Sequence, residues 1–240
     1  MKKRYLRIYH HPLHLIITIA VVLLPFLFVA FVIPFSTEEK KIFLADLGYS
    51  AVRLVIAYGI SVFLAMNFAL FLTRGKLGNI FLPFFDVMQS FPTFAMLPLV
   101  VKLFGAGNVT VITFLVVTII WPVLFAIISA QKLVKEGWDE AATIFGAKGW
   151  KRLIYYSLPL SYPGLITGSI VGLGEGWEAV VGAEIIVGLT NNGLGSFFNS
   201  NSDSGTVVLF GVFALLLCIF VMNKLIWLPL LEKSHHLLTE

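Results

Sequence analysis

The stretch NVTVITFLVVTIIWPVLFAIISA (108–130) decides the fold, because its 23 consecutive residues include no charged side chain. A helix needs about 20 mostly apolar residues to cross the hydrocarbon core of a bilayer. The rest of the chain agrees with this stretch, since 58% of its 240 residues are hydrophobic and only 12% are charged. A soluble domain carries about 25% charged residues. We therefore predict a transmembrane helix over 108–130.

Further apolar runs lie on either side of this stretch, at 13–35, 49–73, 79–104, 160–189 and 205–231. They predict an all-α membrane protein with about six transmembrane helices in a single domain over 1–240, with its core at about 49–231. The run 13–35 follows a basic N-terminus, but it is longer than the core of a signal peptide, which has about 7–15 residues. We expect it to be retained as the first span.

The run 79–104 contains Pro83, Pro92 and Pro98, which predict a kinked or broken helix. The run 160–189 is rich in glycine, which also favours an irregular helix. Within a bilayer such breaks survive only where protein or a water-filled cavity satisfies the freed backbone groups. We therefore expect both runs to lie inside the helix bundle.

Basic residues divide unequally between the two sides of the predicted bundle. Twelve of the 17 lie on the side of both termini: Lys2, Lys3, Arg4, Arg7, Arg74, Lys76, Lys132, Lys135, Lys148, Lys151, Arg152 and Lys233. The cytoplasmic side of a membrane protein carries the excess of Lys and Arg. Both termini are therefore predicted to be cytoplasmic, and the polar loop 190–205 faces outward. This topology also accounts for the net charge of +4, so no nucleic-acid partner is expected.

The longest predicted cytoplasmic connection reads QKLVKEGWDEAATIFGAKGWKRLIYYS (131–157). Helix-prone stretches flank Gly146 and Gly149, which predicts two short helices joined by a glycine turn. Apolar side chains among its charges suit either a docking element for another protein or an amphipathic segment on the membrane surface. The residues by themselves leave both interpretations open.

A specific pattern runs through this connection and ends at the next span: Glu140, Ala141, Ala142, Gly146, Leu158 and Pro159. It resembles the EAA loop of bacterial ABC importer permeases, with Tyr156 in place of the usual isoleucine. We call 131–158 the EAA loop. The flanking sequences also look like permeases of the nitrate/sulfonate/taurine type in the binding-protein-dependent superfamily. These are RLVIAYGISVFLAMNFALFLTRGKLG (53–78), QSFPTFAMLPLVVKLFGAGN (89–108) and GLGEGWEAVVGAEI (172–185).

The resemblance, which covers about 50–200, implies a non-enzymatic importer subunit in a bacterial or archaeal inner membrane. It implies a permease dimer, here a homodimer, with two cytoplasmic ATPase subunits and an extracytoplasmic substrate-binding protein. The EAA loop would couple the ATPase to the membrane helices. The chain has no G-x-x-x-x-G-K-[ST] motif, and TRGKLG (73–78) lacks its first glycine. ATP and Mg are therefore expected on the partner ATPase subunits, and no cofactor on this chain.

Small residues recur every four positions at the start of the fifth apolar run: Gly164, Gly168, Gly172 and Gly176. Glycines at this spacing let helix backbones approach closely. We predict that they pack against another helix, either within the subunit or across the dimer.

Carboxylates on the same run are functional candidates, because a charge inside a bilayer is costly. On an ideal helix Glu175 and Glu178 lie about 60° apart, whereas Glu184 points elsewhere. Glu178 and Glu184 are candidates for the translocation path, and Trp177 between them is another. For Glu184 the alternative is a structural hydrogen bond or salt bridge near the outer end, and for Trp177 it is simple packing.

Asp86, Gln89 and Ser90 precede the Phe91-Pro92 step of the proline-rich run. Asp86 and Gln89 are one helical turn apart, so they share a face that we expect to line the path. The family segment often has a basic residue at the position of Gln89. Oxyanions favour Arg or Lys donors, and the interior offers essentially Arg53 and Lys102, both near the outer ends. We therefore expect a neutral or cationic solute rather than an oxyanion.

The main alternative is a proton- or ion-coupled secondary transporter that uses the intramembrane carboxylates. Such a carrier does not need a long cytoplasmic loop with an EAA pattern. An intramembrane enzyme would need a nucleophile and a base, or a metal site. The HHPLH segment (10–14) suits a solvated interface better than a metal site, and Cys218 has no disulfide partner, so we expect neither a catalytic nor a metal site.

Overall fold

The computed structural model describes residues 36–72, 77–90, 92–132, 136–187, 191–227 and 229–231, besides residues 16, 19 and 20. Every regular element in these ranges is helical, which confirms the predicted all-α class. The helices are α1 (Thr37–Leu72), α2 (Leu77–Gln89), α3 (Thr93–Phe104), α4 (Asn108–Lys132), α5 (Glu136–Ile144), α6 (Gly149–Arg152), α7 (Leu158–Val187), α8 (Leu194–Ser200) and α9 (Gly205–Met222). A π-helical turn, Leu153–Ser157, precedes α7, and another, Asn223–Trp227, follows α9.

Several described helices are suited to a bilayer by length and composition. The three candidate spans are Glu38–Leu70, Asn108–Lys132 and Gly205–Leu231, and the bent pair α2–α3 adds a fourth if it counts as one span. Helix α7, which covers most of the predicted run 160–189, has 30 residues and is about 45 Å long at the usual rise per residue, but its composition does not place it among these candidates. The predicted run 13–35 lies outside the described residues except for positions 16, 19 and 20. The total of six spans therefore stays a prediction.

Helix α1 is longer than the apolar run that predicted it, because it begins at Thr37 rather than near residue 49. A capping box starts it: the Glu39 N–H donates to Ser36 Oγ at 3.3 Å, and the Ser36 N–H donates to Glu39 Oε2 at 3.0 Å. Because charged residues follow Ser36, a search for apolar runs does not detect this first part of the helix. A helix can start in water and continue into the bilayer.

The proline-rich run 79–104 is broken, as predicted, into α2 and α3. The segments Pro83–Gln89 and Thr93–Phe104 meet at 87°. Of the three prolines, only Pro92 lies at the break, where it precedes the first residue of α3, while Pro83 and Pro98 lie inside helices. The bend therefore follows from Pro92, whose missing N–H and fixed φ favour a helix start.

Helix α4 forms the centre of the described bundle and packs against both α1 and α7. Its inward-facing side chains are fully buried, and they include Val111, Phe114, Leu115, Ile119, Val123, Leu124 and Ile127. This explains why the stretch 108–130 is apolar on every side: it meets protein on some faces and the bilayer on the others.

The four glycines of α7 that recur every four residues lie against neighbouring helices of the same subunit. A Cβ atom added at Gly164 would collide with the carbonyl oxygen of Ala126, and one at Gly168 would lie 2.7 Å from the Cα atom of Val123. At Gly172 and Gly176 it would lie 3.2 Å and 3.0 Å from side-chain atoms of Ile119. The backbones of α4 and α7 can approach this closely because the residues of α7 on this face are glycines.

Candidate functional site

The EAA loop has the predicted form of two short helices, α5 and α6, joined by a glycine turn. The Ala147 N–H donates to the Ala142 carbonyl at 2.9 Å and closes the turn. Gly146 and Gly149 have φ values of 71° and 55°. This left-handed conformation costs residues with a Cβ atom about 1–2 kcal/mol. Glycine is therefore the natural residue at both positions.

Large apolar side chains project from the end of α5. Ile144 is 82% exposed and Phe145 is 87% exposed. Glu140, one turn before Ile144, is also exposed. Adjacent exposed apolar side chains of this size mark a contact surface for a partner or a membrane. The surface consists of residues that no other described part of this chain covers.

The EAA loop is joined firmly to the two long helices at its ends. Leu158 and Pro159 form the exposed first turn of α7, directly after the π-helical turn Leu153–Ser157. Gln131 Nε2, near the end of α4, donates to Ser161 Oγ at 2.6 Å. Ser161 Oγ in turn donates to the Ser157 carbonyl at 2.7 Å. These hydrogen bonds join the end of α4 to the start of α7 and to the π-helical turn before it.

At the opposite ends of α4 and α7 lies a largely buried polar group that we call the Arg53 cluster: Asp46, Ser50, Arg53, Asn108, Glu184, Asn192 and the N–H groups of residues 193–195. Its charged side chains are buried, whereas Asn108 is exposed and Asn192 is half-buried. Its centre is an ion pair between Arg53 Nη1 and Glu184 Oε1 at 2.5 Å. Arg53 is 5% exposed and Glu184 is 2% exposed. An ion pair this deeply buried needs further hydrogen bonds to offset the desolvation of both charges.

Those further hydrogen bonds are present on both charges. Arg53 Nε donates to Asn108 Oδ1 at 2.9 Å, and Arg53 Nη2 donates to Asn192 Oδ1 at 2.5 Å. The carboxylate of Glu184 accepts from Ser50 Oγ at 2.9 Å and from the Gly195 N–H at 2.9 Å. Both members of the ion pair therefore have several partners.

In the Arg53 cluster, Glu184 has the salt bridge and hydrogen bonds that were the structural alternative to a place on the translocation path, and its role on that path stays a prediction. Its carboxylate is enclosed between α1, α7 and the turn before α8, so the geometry matches the structural alternative. Trp177, the other ambiguous candidate, is 7% exposed and packs in the core. In the described part of the chain, its Nε1 atom has no hydrogen-bond partner. Neither side chain faces an open path within this subunit.

Most members of the Arg53 cluster were missed by reading the sequence. One signal was available, because Asp46, Ser50 and Arg53 are spaced four and three residues apart and so share one face of α1. Gly193 and Gly195 gave no such signal, because only the structure shows that an added Cβ atom there would meet the Glu184 side chain. The polar stripe of α1 therefore indicated a polar contact without its partners.

The remaining path candidates lie on two different elements. Glu175 and Glu178 are exposed on α7, and Glu178 has no part in the Arg53 cluster. Gln89 and Ser90 are exposed where α2 ends, at the bend before α3. The side chain of Asp86 lies outside the described residues. The open face of α7 is therefore distinct from the face that holds Glu184.

These features define a class of protein, and comparison with known families agrees. Residues 57–226 match the family described as the binding-protein-dependent transport system inner membrane component. The match covers more than half of the chain, so the chain belongs to this family. The resemblance drawn from the EAA loop and its flanks is thereby confirmed.

Individual relatives are permease proteins of several transport systems. The taurine transport system permease protein of Escherichia coli (strain K12) is 31% identical over 170 residues, which are 70% of this chain and 59% of that protein. A putative ABC transporter permease protein of Methanocaldococcus jannaschii is 36% identical over 110 residues, or 46% of this chain and 41% of that protein. The riboflavin transport system permease protein of Chloroflexus aurantiacus is 30% identical over 117 residues, or 49% and 43%. The matched region spans about half the length of these curated relatives.

Proposed function

We propose that the chain is the membrane-spanning subunit of an ATP-powered ABC importer. It would form the translocation path for a small solute. An extracytoplasmic binding protein would deliver this solute, and separate ATPase subunits would drive its transport. The observation that carries this proposal is the EAA loop. In a chain of this family, that loop presents the exposed Ile144 and Phe145 beside the EAA residues on a rigid glycine turn.

The assembly that we propose has two copies of this chain and two ATPase subunits that hold ATP and Mg. Both termini and the EAA loop would lie in the cytoplasm, and the Arg53 cluster would lie at the extracytoplasmic end of the bundle. The open face of α7 supports the dimer. Glu175 and Glu178 are exposed there, and carboxylates inside a membrane face a water-filled cavity or the bundle interior rather than lipid.

For the solute, we propose a neutral or cationic small molecule. Arg53 is a poor candidate for an anion-binding group, because it is buried and already bonded to Glu184, Asn108 and Asn192. The open face of α7 presents Glu175 and Glu178 instead. Relatives are named for nitrate and bicarbonate, which are oxyanions, as well as for taurine and riboflavin. The proposal therefore rests on the residues of this chain and departs from several of its relatives. Tight binding of nitrate or a sulfonate by the partner binding protein would overturn this part of the proposal.

The docking role is tested by purifying the tagged chain from its native membrane and identifying the P-loop ATPase that accompanies it. Glu140→Ala and Gly146→Ala should reduce the amount of bound ATPase and ATP-driven uptake. Gly137→Ala is the matched control, because a Cβ atom there meets nothing within 4 Å and its φ is ordinary. Assembly and uptake that survive both substitutions would show that this loop does not dock the ATPase.

The same preparation separates the importer from a secondary transporter. In proteoliposomes that contain the purified complex, an importer accumulates solute only when ATP is supplied on the side of the EAA loop. A proton-coupled carrier would accumulate it with a pH gradient and no ATP. Uptake driven by the gradient alone would favour the second function.

A further inference from the structure

One arginine joins four parts of the chain that are far apart in sequence. Arg53 belongs to α1, while its hydrogen-bond partners belong to other elements. Asn108 is the first residue of α4, Glu184 lies in the last turn of α7, and Asn192 precedes α8. A guanidinium group has five N–H donors in a fixed planar arrangement, so it holds its partners in one geometry.

The start of α8 is attached to the bundle through its backbone. The Gly193 N–H donates to Asp46 Oδ1 at 2.8 Å, and the Leu194 N–H donates to Ser50 Oγ at 2.9 Å. The Gly195 N–H donates to Glu184 at 2.9 Å. The first N–H groups of a helix have no partner inside the helix. Here α1 and α7 supply those partners, so α8 depends on the position of these two helices.

Packing continues this attachment along α8. The ring of Phe197 lies edge-on to that of Phe43 on α1, with a centroid distance of 5.2 Å. Phe198 lies against Gly211 of α9, where a Cβ atom would be 2.5 Å from its ring. Segment 191–200 is therefore bound to the helices by both hydrogen bonds and buried rings, unlike an ordinary mobile loop.

Helices α4 and α7 connect this region with the EAA loop. Near the loop they are joined by the hydrogen bond from Gln131 to Ser161, and farther along by the close backbone approach at Gly164 and Gly168. At the far end Arg53 bonds to residues of both helices. Closely packed interiors move as units because they have little free volume.

We propose that Arg53 is a positioning residue that makes segment 191–200 move as one body with the far ends of α4 and α7. A movement of the EAA loop, driven by the ATPase, then changes the surface that segment 191–200 presents on the opposite side of the membrane. Coupling between two distant sites requires a physical element that both of them act on. The α4–α7 pair, with its attachment through Arg53, is that element. This inference rests on the proposed function.

The test uses the full chain in complex with the ATPase that co-purifies with it, with and without the non-hydrolysable nucleotide AMP-PNP and Mg. Hydrogen–deuterium exchange is followed in two regions, the EAA loop and segment 191–200. Asn192→Ala removes the side-chain acceptor of Arg53 Nη2 and keeps the main-chain carbonyl that accepts from Arg53 Nη1 at 3.1 Å. Asn192→Asp keeps an acceptor oxygen on the side chain, and Asn191→Ala changes the exposed neighbouring residue.

In the unsubstituted complex, nucleotide should change exchange in both regions. In Asn192→Ala the response of the EAA loop should persist, while segment 191–200 should exchange about tenfold faster and respond less to nucleotide. Asn192→Asp and Asn191→Ala should behave like the unsubstituted chain. A residue needed only for folding would not separate the two responses.

Different outcomes overturn the two proposals. If nucleotide changes nothing in the EAA loop of the unsubstituted complex, the proposed docking function fails. If the EAA loop of the unsubstituted complex responds but segment 191–200 does not, or if Asn192→Ala keeps both responses at full size, the positioning role proposed for Arg53 through Asn192 is wrong.

Discussion

The Arg53 cluster and the EAA loop lie at the two ends of the same helix pair and differ in which kinds of side chain they bury. In the Arg53 cluster, charged side chains are almost completely buried, with Glu184 2% exposed. In the EAA loop, large apolar side chains are almost completely exposed, with Phe145 87% exposed. The first arrangement is stable only because the chain supplies every hydrogen-bond partner for the buried charges. The second leaves an apolar surface that no other described part of the chain covers.

This contrast separates the residues that stabilise the fold from the residues for which we propose a docking role. A buried charge without its partner is strongly destabilising, so the Arg53 cluster should dominate the effects of substitutions on stability. Exposed apolar side chains contribute little to the stability of the isolated subunit. Substitutions in the EAA loop should instead change assembly. The following predictions run from the largest expected loss of stability to the smallest.

Glu184→Ala should have the largest effect, because it leaves the buried guanidinium of Arg53 without its carboxylate. We expect the free energy of unfolding to fall by about 3–5 kcal/mol. Thermal unfolding of the purified chain in detergent measures this loss. The control is Glu178→Ala on the exposed face of the same helix, which should change stability by less than about 0.5 kcal/mol. Equal losses in the two variants would contradict the structural role of the Arg53 cluster.

Gly168→Ala should have an intermediate effect on the packing that joins the two regions. Its Cβ atom would lie 2.7 Å from the Cα atom of Val123, where only backbone movement can make room. Overpacking of this kind costs about 1–3 kcal/mol.

The matched control for this packing is Gly174→Ala, also on α7, where a Cβ atom meets nothing within 4 Å. It should leave the melting temperature unchanged or slightly higher, since alanine favours the helix. A melting temperature that falls equally for both variants would show that the close approach at Gly168 is unimportant.

Gly146→Ala should have a smaller and local effect, confined to the turn of the EAA loop. At φ = 71° an added Cβ atom costs about 1–2 kcal/mol, whereas asparagine tolerates this conformation better. Exchange of the Ala147 N–H, which closes the turn, should therefore be faster in Gly146→Ala than in Gly146→Asn. The same rate in both variants would mean that the backbone conformation of the turn is not under this constraint.

Phe145→Ser should leave the stability of the isolated subunit almost unchanged and should still abolish capture of the ATPase. The side chain is 87% exposed, so its removal takes little apolar area out of the folded subunit. The measurements are the melting temperature and the ratio of ATPase to permease after purification. The matched control is Tyr155→Ser, which removes another exposed aromatic ring outside the glycine turn. A large loss of stability with unchanged ATPase capture would mean that Phe145 stabilises the subunit and does not contact the ATPase.

The sequence predicted the features that depend on local patterns. The stretch 108–130 lacks charges, and it forms the central helix α4. Gly146 and Gly149 predicted a turn between short helices, and they have the positive φ values that favour glycine. The glycines of α7 predicted a close helix contact, although their spacing did not show which helix would meet them. Each of these properties follows from residues near one another in the chain.

The partner of Glu184 could not be predicted in the same way. Arg53 and Glu184 are 131 residues apart in sequence, and either could have been paired with another residue or left facing water. The start of α1 was misplaced for a related reason, since apolar runs report contact with lipid and not the full length of a helix. The bend between α2 and α3 was predicted, but its angle depends on how the two helices pack.

By itself the sequence determined that this protein is helical, that it lies in a membrane, and that it carries an EAA loop. These properties follow from hydropathy, from glycine and proline positions, and from a motif within a few turns of chain. Only the tertiary structure decided that Glu184 is an internal ion-pair partner. The charge of a side chain follows from the residue type. Whether that charge forms an internal ion pair or faces water depends on which groups the rest of the fold brings within hydrogen-bonding distance.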